Sequence, residues 1–541
     1  MRVDEPRSHA VENVSAQKNV SAKNVDNKAA LPTQSDDAGK NSKVGELQNK
    51  GSQIKQNVLA DVKSPKAPAD FSKEATVTKV GNETVIDAGA GDDKISVSQN
   101  VKTGDVTVTV NGAKRTFTGA DKDHLVIKAG DGNDTIKVGK GVTVQLRLEG
   151  EKGNDTITVD QSVKIGQKIF GGDGSDTILG GGGNDKIEAG AGDDTVDGRG
   201  GDDYVNGSKG NDTLKGGVGN DVIYGGDGDD TIEGNDGNDY LEGSKGNDTI
   251  AGGKGTDVLS GGIGDDTLKG DAGNDVLYAG QGKDKLFGGQ GDNKIFSQTD
   301  DTVEANAKGI NNRVVTVELK GNPGGTSVKI EGSDEFKERV EADLEMLRSS
   351  PTGRQMLEGY DQAYNDTRSK LADLPLIGGM FNQGVTVTIK EHDSDSGSAD
   401  WENRTSPTKP QPSIDPTTGA KGTPNSAIIN YKPSYMPTYT YPDGDVESVP
   451  SVVLFHEMAH AYDYTHGTFN GTNYAGTDTG DNGIRNGERV AVGLPIDHDN
   501  DPKTAEQKDT ANHPDQLTED ALREEMNLKR RNHYAGGKSR V

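Results

Sequence analysis

Two histidines four residues apart, with a glutamate behind the first, mark the segment of this chain best suited to hydrolytic chemistry: His456-Glu457-Met458-Ala459-His460. On a helix, residues four apart lie on one face, so both imidazoles can reach a single zinc ion. Glu457 is then placed to accept the proton of a water as it attacks a carbonyl, which is the chemistry of metal-assisted peptide hydrolysis. The same three residues could arise on a surface helix with no such role. Against that stand the apolar run Val452-Val453-Leu454-Phe455, which calls for a buried helix, and the absence of another histidine cluster in a chain of nine histidines. Pro450 suits a first helical position, and Gly467 is placed to end the helix.

A catalytic zinc needs a third protein ligand, and three residues compete for the role. His466 follows His456 by ten residues, the spacing found in metzincins, but Asp463 stands where such helices turn at glycine. Glu488, in NGERVAVGLPID, completes a His2Glu set and is the favoured choice; Glu519, in TEDALREEMNL, is the remaining one. Near the end, Arg531 and Tyr534 lie three apart, a cation and a phenol able to stabilise an oxyanion if that face meets the metal. Asp463, one turn after His460, is expected either to orient an imidazole or to face water.

The elements that must carry this helix sit in a chain of unusual composition. Its 541 residues include 76 glycines and only 4% aromatics, too long and too uneven for one ordinary core. The 88 acidic against 60 basic side chains leave a formal charge of −28. That charge argues against nucleic acid or an anionic membrane as partner and makes divalent cations the natural counter-charge. With no cysteine, zinc must be held by histidine and carboxylate. No stretch is long and apolar enough to span a bilayer, and the N-terminal residues hold no apolar run of the kind found in cleaved signal peptides.

From Phe170 to Ile295 the chain runs through fourteen uninterrupted nonapeptides of the form G-G-x-G-x-D-x-U-x. The fourth position is Gly in every repeat, and U is Ile, Val or Leu from Ile178 to Ile295. The sixth position is Asp176, Asp185, Asp194, Asp203, Asp212, Asp221, Asp230, Asp239, Asp248, Asp257, Asp266, Asp275 and Asp284, with Asn293 closing the series. Glycines permit the positive φ of tight turns and expose carbonyls, and the aspartates add the hard oxygens calcium prefers. The U side chains point inward, so that two repeats make one coil of a parallel β-roll around a thin aliphatic column. Without calcium the stacked aspartates repel, so the roll is expected to fold only where calcium is plentiful. This register resembles the RTX calcium-binding repeats. Upstream, GDD-K-I at 91–95 and GND-T-I at 132–136 and 153–157 recur; Asp134, Asp155 and Asp176 stand 21 residues apart. They are read as atypical coils leading into the roll.

The expected organisation is multidomain. A disordered leader over 1–74 precedes atypical solenoid coils over 75–169, the roll over 170–296, a polar linker over 297–312, and an α+β zincin-like metallopeptidase domain over 313–541. Within the last, VVTVELKGNPGGTSVKIEG at 314–332 reads as a hairpin. Ser333 caps a helix whose apolar face is Phe336, Val340, Leu344 and Leu347, and VTVTI at 385–389 and AIINY at 427–431 read as strands.

DLEMLRSSPTGRQML at 343–357, VVLFHEMAHAYD at 452–463, NGERVAVGLPID and LTEDALREEMNLKRRNHY at 517–534 together resemble the NleD-like effector zinc metallopeptidases. The resemblance spans roughly 313–541 and implies His456 and His460 on zinc, Glu457 in catalysis, and cleavage of host signalling proteins by a type III secretion effector. HExxH, a downstream Glu and a terminal Arg-x-x-Tyr are also similar to clostridial neurotoxin light chains, which implies Glu488, Arg531 and Tyr534 in their respective roles. Repeats that precede the enzyme depart from the usual RTX order, which sets a type I route aside. The expectation is therefore a secreted zinc endopeptidase acting on protein or peptide substrates, with Zn2+ and Ca2+ as cofactors and the roll as carrier or folding switch. The rival is a calcium-dependent adhesive or structural protein whose HExxH helix is inert.

Overall fold

The computed structural model describes residues 70–304, 312–317, 325, 327–372, 385–391, 404–407, 424, 426–431, 438–439, 449–466, 491, 513–528 and 539–540. The leader expected over 1–74 lies outside the described residues as far as 69. Its last residues are folded: Asp70 caps a short helix, α1 (Phe71–Glu74), and Phe71 is buried at the end of the solenoid core.

Inward-pointing aliphatic residues every nine positions dictate the architecture that follows. Parallel strands stack into two sheets of thirteen strands each among the described residues. Within a sheet the register advances by eighteen residues, Ile169 opposite Ile187 and Ile178 opposite Val196, so each coil does consume two repeats. Every U side chain from Ile178 to Ile295 is fully buried in one continuous column. The turns demand glycine for two reasons at once. Gly174 sits at φ +131°, and a Cβ there would come within 2.1 Å of the Gly153 carbonyl oxygen in the coil below.

The upstream coils join the same stack. The strands Thr135–Val138 and Thr156–Val159 pair in parallel with each other, and the second pairs with Thr177–Leu179. The wider gap between Asp93 and Asp134 is occupied by an antiparallel hairpin, Val106–Val110 with Ala113–Phe117. At the other end the sheets run on through the stretch read as linker: Thr302–Val303 pairs with Lys285 and Leu286, and Arg313–Thr316 pairs with Lys294–Ser297. The hairpin expected over 314–332 does not form. Its first half extends the roll, where it covers an otherwise open sheet edge. Its second half, Val328–Glu331, pairs in parallel with Val387–Glu391.

The C-terminal region is helices on a small sheet ordered Val328–Glu331, Val387–Glu391, Ala427–Tyr431, Arg404–Pro407. Helix α2 (Asp334–Ser349) begins where Ser333 accepts a hydrogen bond from the Phe336 amide at 3.2 Å, and Phe336, Val340, Leu344 and Leu347 are its buried stripe. Helix α3 (Pro351–Ala372) follows directly; α4 (Pro450–His466) carries the HExxH segment, and α5 (Glu519–Glu525) packs against it.

This region does not close its own core. One sheet of the roll presents outward Tyr204, Val222, Tyr240, Val258 and Val276 at eighteen-residue intervals, with Tyr224, Tyr278 and Phe296 beside them. All are buried in one cluster with residues of α2, α3, α4 and α5. The corresponding row on the other sheet is Thr195, Thr213, Thr231, Thr249 and Thr267, the outward-facing set of a wet surface. The two sheets are thus chemically unlike outside and alike within.

The inward-outward alternation makes a paired forecast. Ile232→Ala in the column is expected to cost about 2–5 kcal/mol, while Thr231→Ala on the solvent row stays within about 0.5 kcal/mol. Thermal unfolding in saturating calcium measures both, and equal effects would contradict the inward assignment.

Candidate active site and cation ladder

Along each edge of the roll, aspartates of successive coils stack directly. The backbone N–H of each donates to Oδ1 of the aspartate one coil further on, as from Asp176 to Asp194 and from Asp203 to Asp221, at 2.7 and 2.8 Å. The other oxygen, Oδ2, is buried without a hydrogen-bond partner in twelve of the thirteen, Asp185 being the exception through the Gly181 amide. Rows of orphaned carboxylate oxygens beside turn carbonyls are the donor set a calcium ion takes, and the residues present fit that ion. Burial drives these carboxyls upward, Asp176 to about 6, Asp194 and Asp230 to about 7, Asp239 to about 8 and Asp203 to about 9.

The two edges have unequal lengths. On one, an amide side chain ends the series at each end: Gln167 receives no carboxylate duty and bonds Ile165 O, while Asn293 donates to Gly288 O. Amides satisfy themselves without a cation. The other edge continues upstream through Asp155, Asp134 and Asp93, each linked to the next at 2.7 Å and each keeping a buried, unpartnered Oδ2. Those three lie outside the thirteen aspartates assigned above, yet the motifs GDD-K-I and GND-T-I that hold them match the repeat at its glycine, aspartate and U positions.

In the C-terminal region the buried helix α4 holds His456 and His460 with ring centroids 4.8 Å apart and planes at 85°. Two imidazoles each bound through one nitrogen to a tetrahedral ion have centroids about 5 Å apart, so the pair fits zinc. Glu457 is 7% exposed beside them. Tyr360 of α3 donates to the Met458 carbonyl, and Tyr431 donates to the Pro450 carbonyl at 2.9 Å, so α4 is pinned at its start and middle.

Glu519 Oε2 lies 2.9 Å from His456 Nδ1, and its Oε1 accepts from Nε of the fully buried Arg523 at 2.6 Å. A buried guanidinium needs such a carboxylate one turn away. The approach at Nδ1 is a close contact without hydrogen-bond geometry. His466 is not brought to the pair. The helix runs unbroken to residue 466, and ten residues of helix carry the chain about 15 Å along the axis. Its ring stacks on Tyr462 instead, with Nδ1 2.9 Å from the Tyr462 carbonyl. Asp463 does orient an imidazole, but it is that of His513, whose Nδ1 lies 2.9 Å away while Nε2 faces Leu517 O at 2.8 Å. Both ring nitrogens of His513 thus face an oxygen acceptor. Glu488, Arg531 and Tyr534 lie outside the described residues, and among the described residues no three His, Asp or Glu side chains form a metal-holding group.

Residues 126–142 and 170–295 match the RTX calcium-binding nonapeptide repeat, and residues 325–534 match Peptidase_M91, a family described as effector protein. The chain joins RTX calcium-binding repeats to a Peptidase_M91 effector domain. No curated protein matches it. The outward tyrosines that bind roll to effector domain were not anticipated from sequence, although the alternation of Tyr or Val with Thr every nine residues records them.

Calcium-free protein is expected to lose stability as pH rises. Carboxyls held above their ordinary value stabilise the fold while protonated, fully so below about pH 4, and that contribution is lost as pH passes through about 6 to about 9. Circular dichroism melts in EGTA between pH 4.5 and 8.5 should show melting temperature falling with pH, and saturating calcium should abolish the fall. A flat or rising profile in EGTA would refute the ladder's role.

Proposed function

We propose that this protein is a secreted, calcium-requiring zinc endopeptidase that cleaves proteins, with the effector domain as its active part. The observation that carries the reading is the perpendicular imidazole pair of His456 and His460 on a buried helix, with Glu457 beside it, inside the segment that matches a peptidase effector family. His456 and His460 would hold the zinc, with Glu488 as third ligand. A zinc ion there supplies Lewis acidity to a substrate carbonyl and makes a water more acidic. Glu457 takes the proton from the attacking water and returns it to the leaving amine. Glu519, held by Arg523, would act on the His456 ring at Nδ1. Arg531 and Tyr534 would donate to the oxyanion as it develops.

The family description and the repeats support export and a role as an effector, and a type III route into a host cell is part of this proposal. No helix among the described residues is long and apolar enough to cross a membrane.

Glu457→Gln is expected to keep stoichiometric zinc and to lose cleavage of a protein substrate found by profiling cut sites in a proteome. Undiminished cleavage would sink the assignment. The two glutamates separate by metal content: Glu488→Gln should lose zinc outright, whereas Glu519→Gln should weaken zinc affinity about 10–100-fold. Full zinc occupancy and unchanged affinity in Glu488→Gln would remove it from the ligand set.

A further inference from the structure

The effector domain borrows a wall of its core from the roll, and the wall is connected to the HExxH helix by two routes, one a chain of hydrogen bonds and the other through the packed helix α5. In the first, Tyr224 of the roll donates to Asp343 Oδ1 of α2 at 2.9 Å. The Tyr431 hydroxyl lies 2.9 Å from Asp343 Oδ2 and 2.9 Å from the Pro450 carbonyl at the first residue of α4. The Tyr431 hydroxyl, whose single hydrogen can serve either acceptor, thus bridges Asp343 and the start of α4. Tyr240, from the next coil, lies beside the same carboxyl. In the second, Tyr278 of the roll donates to Glu525 Oε1 of α5 at 3.0 Å, and Lys294 donates to the Glu524 carbonyl at 2.6 Å and the Glu525 carbonyl at 3.0 Å. Helix α5 is the one whose Glu519 faces His456.

Both routes start on strands of a single sheet, and those strands exist only as coils. Each coil stacks its aspartates on the next, with their second oxygens buried and unpaired. Removing cations from the ladder therefore removes the platform on which Tyr204, Tyr224, Tyr240, Val258 and Tyr278 stand. We infer that calcium loading of the roll positions the HExxH helix, making the effector domain's site a calcium-gated one. The inference rests on the reading of α4 as the catalytic helix for its functional meaning, but the physical coupling of roll to helix is independent of whether that helix cleaves anything. An ordinary carrier would be joined by a linker and a wet interface. Here the contact is a core, with Tyr224, Tyr240 and Tyr278 among the largest fully buried side chains of the molecule.

The test is amide hydrogen exchange on the full-length protein as calcium is titrated with EGTA, reading peptides from Asp334–Ser349 and Pro450–His466. Protection of both is expected to fall by roughly 5–150-fold on calcium withdrawal, in parallel with the roll. A second arm uses Val258→Lys, which places a charge in the shared core and leaves the aspartate ladder untouched. Its calcium stoichiometry by calorimetry should equal that of the parent, while Pro450–His466 stays poorly protected even with calcium bound; Val258→Ile should retain parental protection. Protection of Pro450–His466 that is the same with and without calcium, or parental protection in Val258→Lys, would overturn the coupling. Absence of zinc or of cleavage in the calcium-loaded parent would instead count against the proposed peptidase activity and leave the exchange result standing.

Discussion

Carboxylates stacked one coil apart and buried from water are the constraint on which the rest of this structure depends. An aspartate whose second oxygen is buried without a donor can stay in place as a neutral acid or beside a cation. As pH rises and these carboxyls ionise, the cation increasingly takes over the task of holding the coils together, because the interior column of single Ile, Val and Leu side chains is thin. The roll's stability is in this sense lent by calcium, and anything built on the roll shares that dependence. The outward row of tyrosines and valines shows that something is built on it: the core of the effector domain.

Much of this was legible in the chain because it repeats or obeys local rules. The column of U residues, the two-repeat coil, the Ser333 cap and the limits of the HExxH helix at Pro450 and residue 466 follow from period, capping and proline placement. The strand Ala427–Tyr431 was expected over those residues. What escaped was non-local. Val328–Glu331 pairs with a strand nearly sixty positions on, which no turn chemistry near 322 announces. Local reading made it half of a hairpin. The docking face was hidden differently: a nine-residue comparison averages its two sheets, and only an eighteen-residue comparison separates Tyr240 and Val258 from Thr249 and Thr267.

The active-site reading shows the same division. Histidines four apart on a helix are a local fact, and their rings do meet at right angles. Which carboxylate comes to them is tertiary, and Glu519 reaches His456 from 63 residues away in sequence. It comes within 2.9 Å of Nδ1 without hydrogen-bond geometry and is held there by Arg523 on its other oxygen. His466 failed for a reason that helix geometry states in advance, since an unbroken helix cannot return a residue ten positions on to the same ion. Asp463 was expected to hold an imidazole and does, but that imidazole belongs to His513.

A shared core has a thermodynamic signature of its own, and calorimetric unfolding of the full-length chain across a calcium series reads it directly. One cooperative transition containing both roll and effector domain, moving upward as calcium rises, is the result this account predicts. Two transitions, with the effector domain melting at a temperature that calcium does not change, would contradict it.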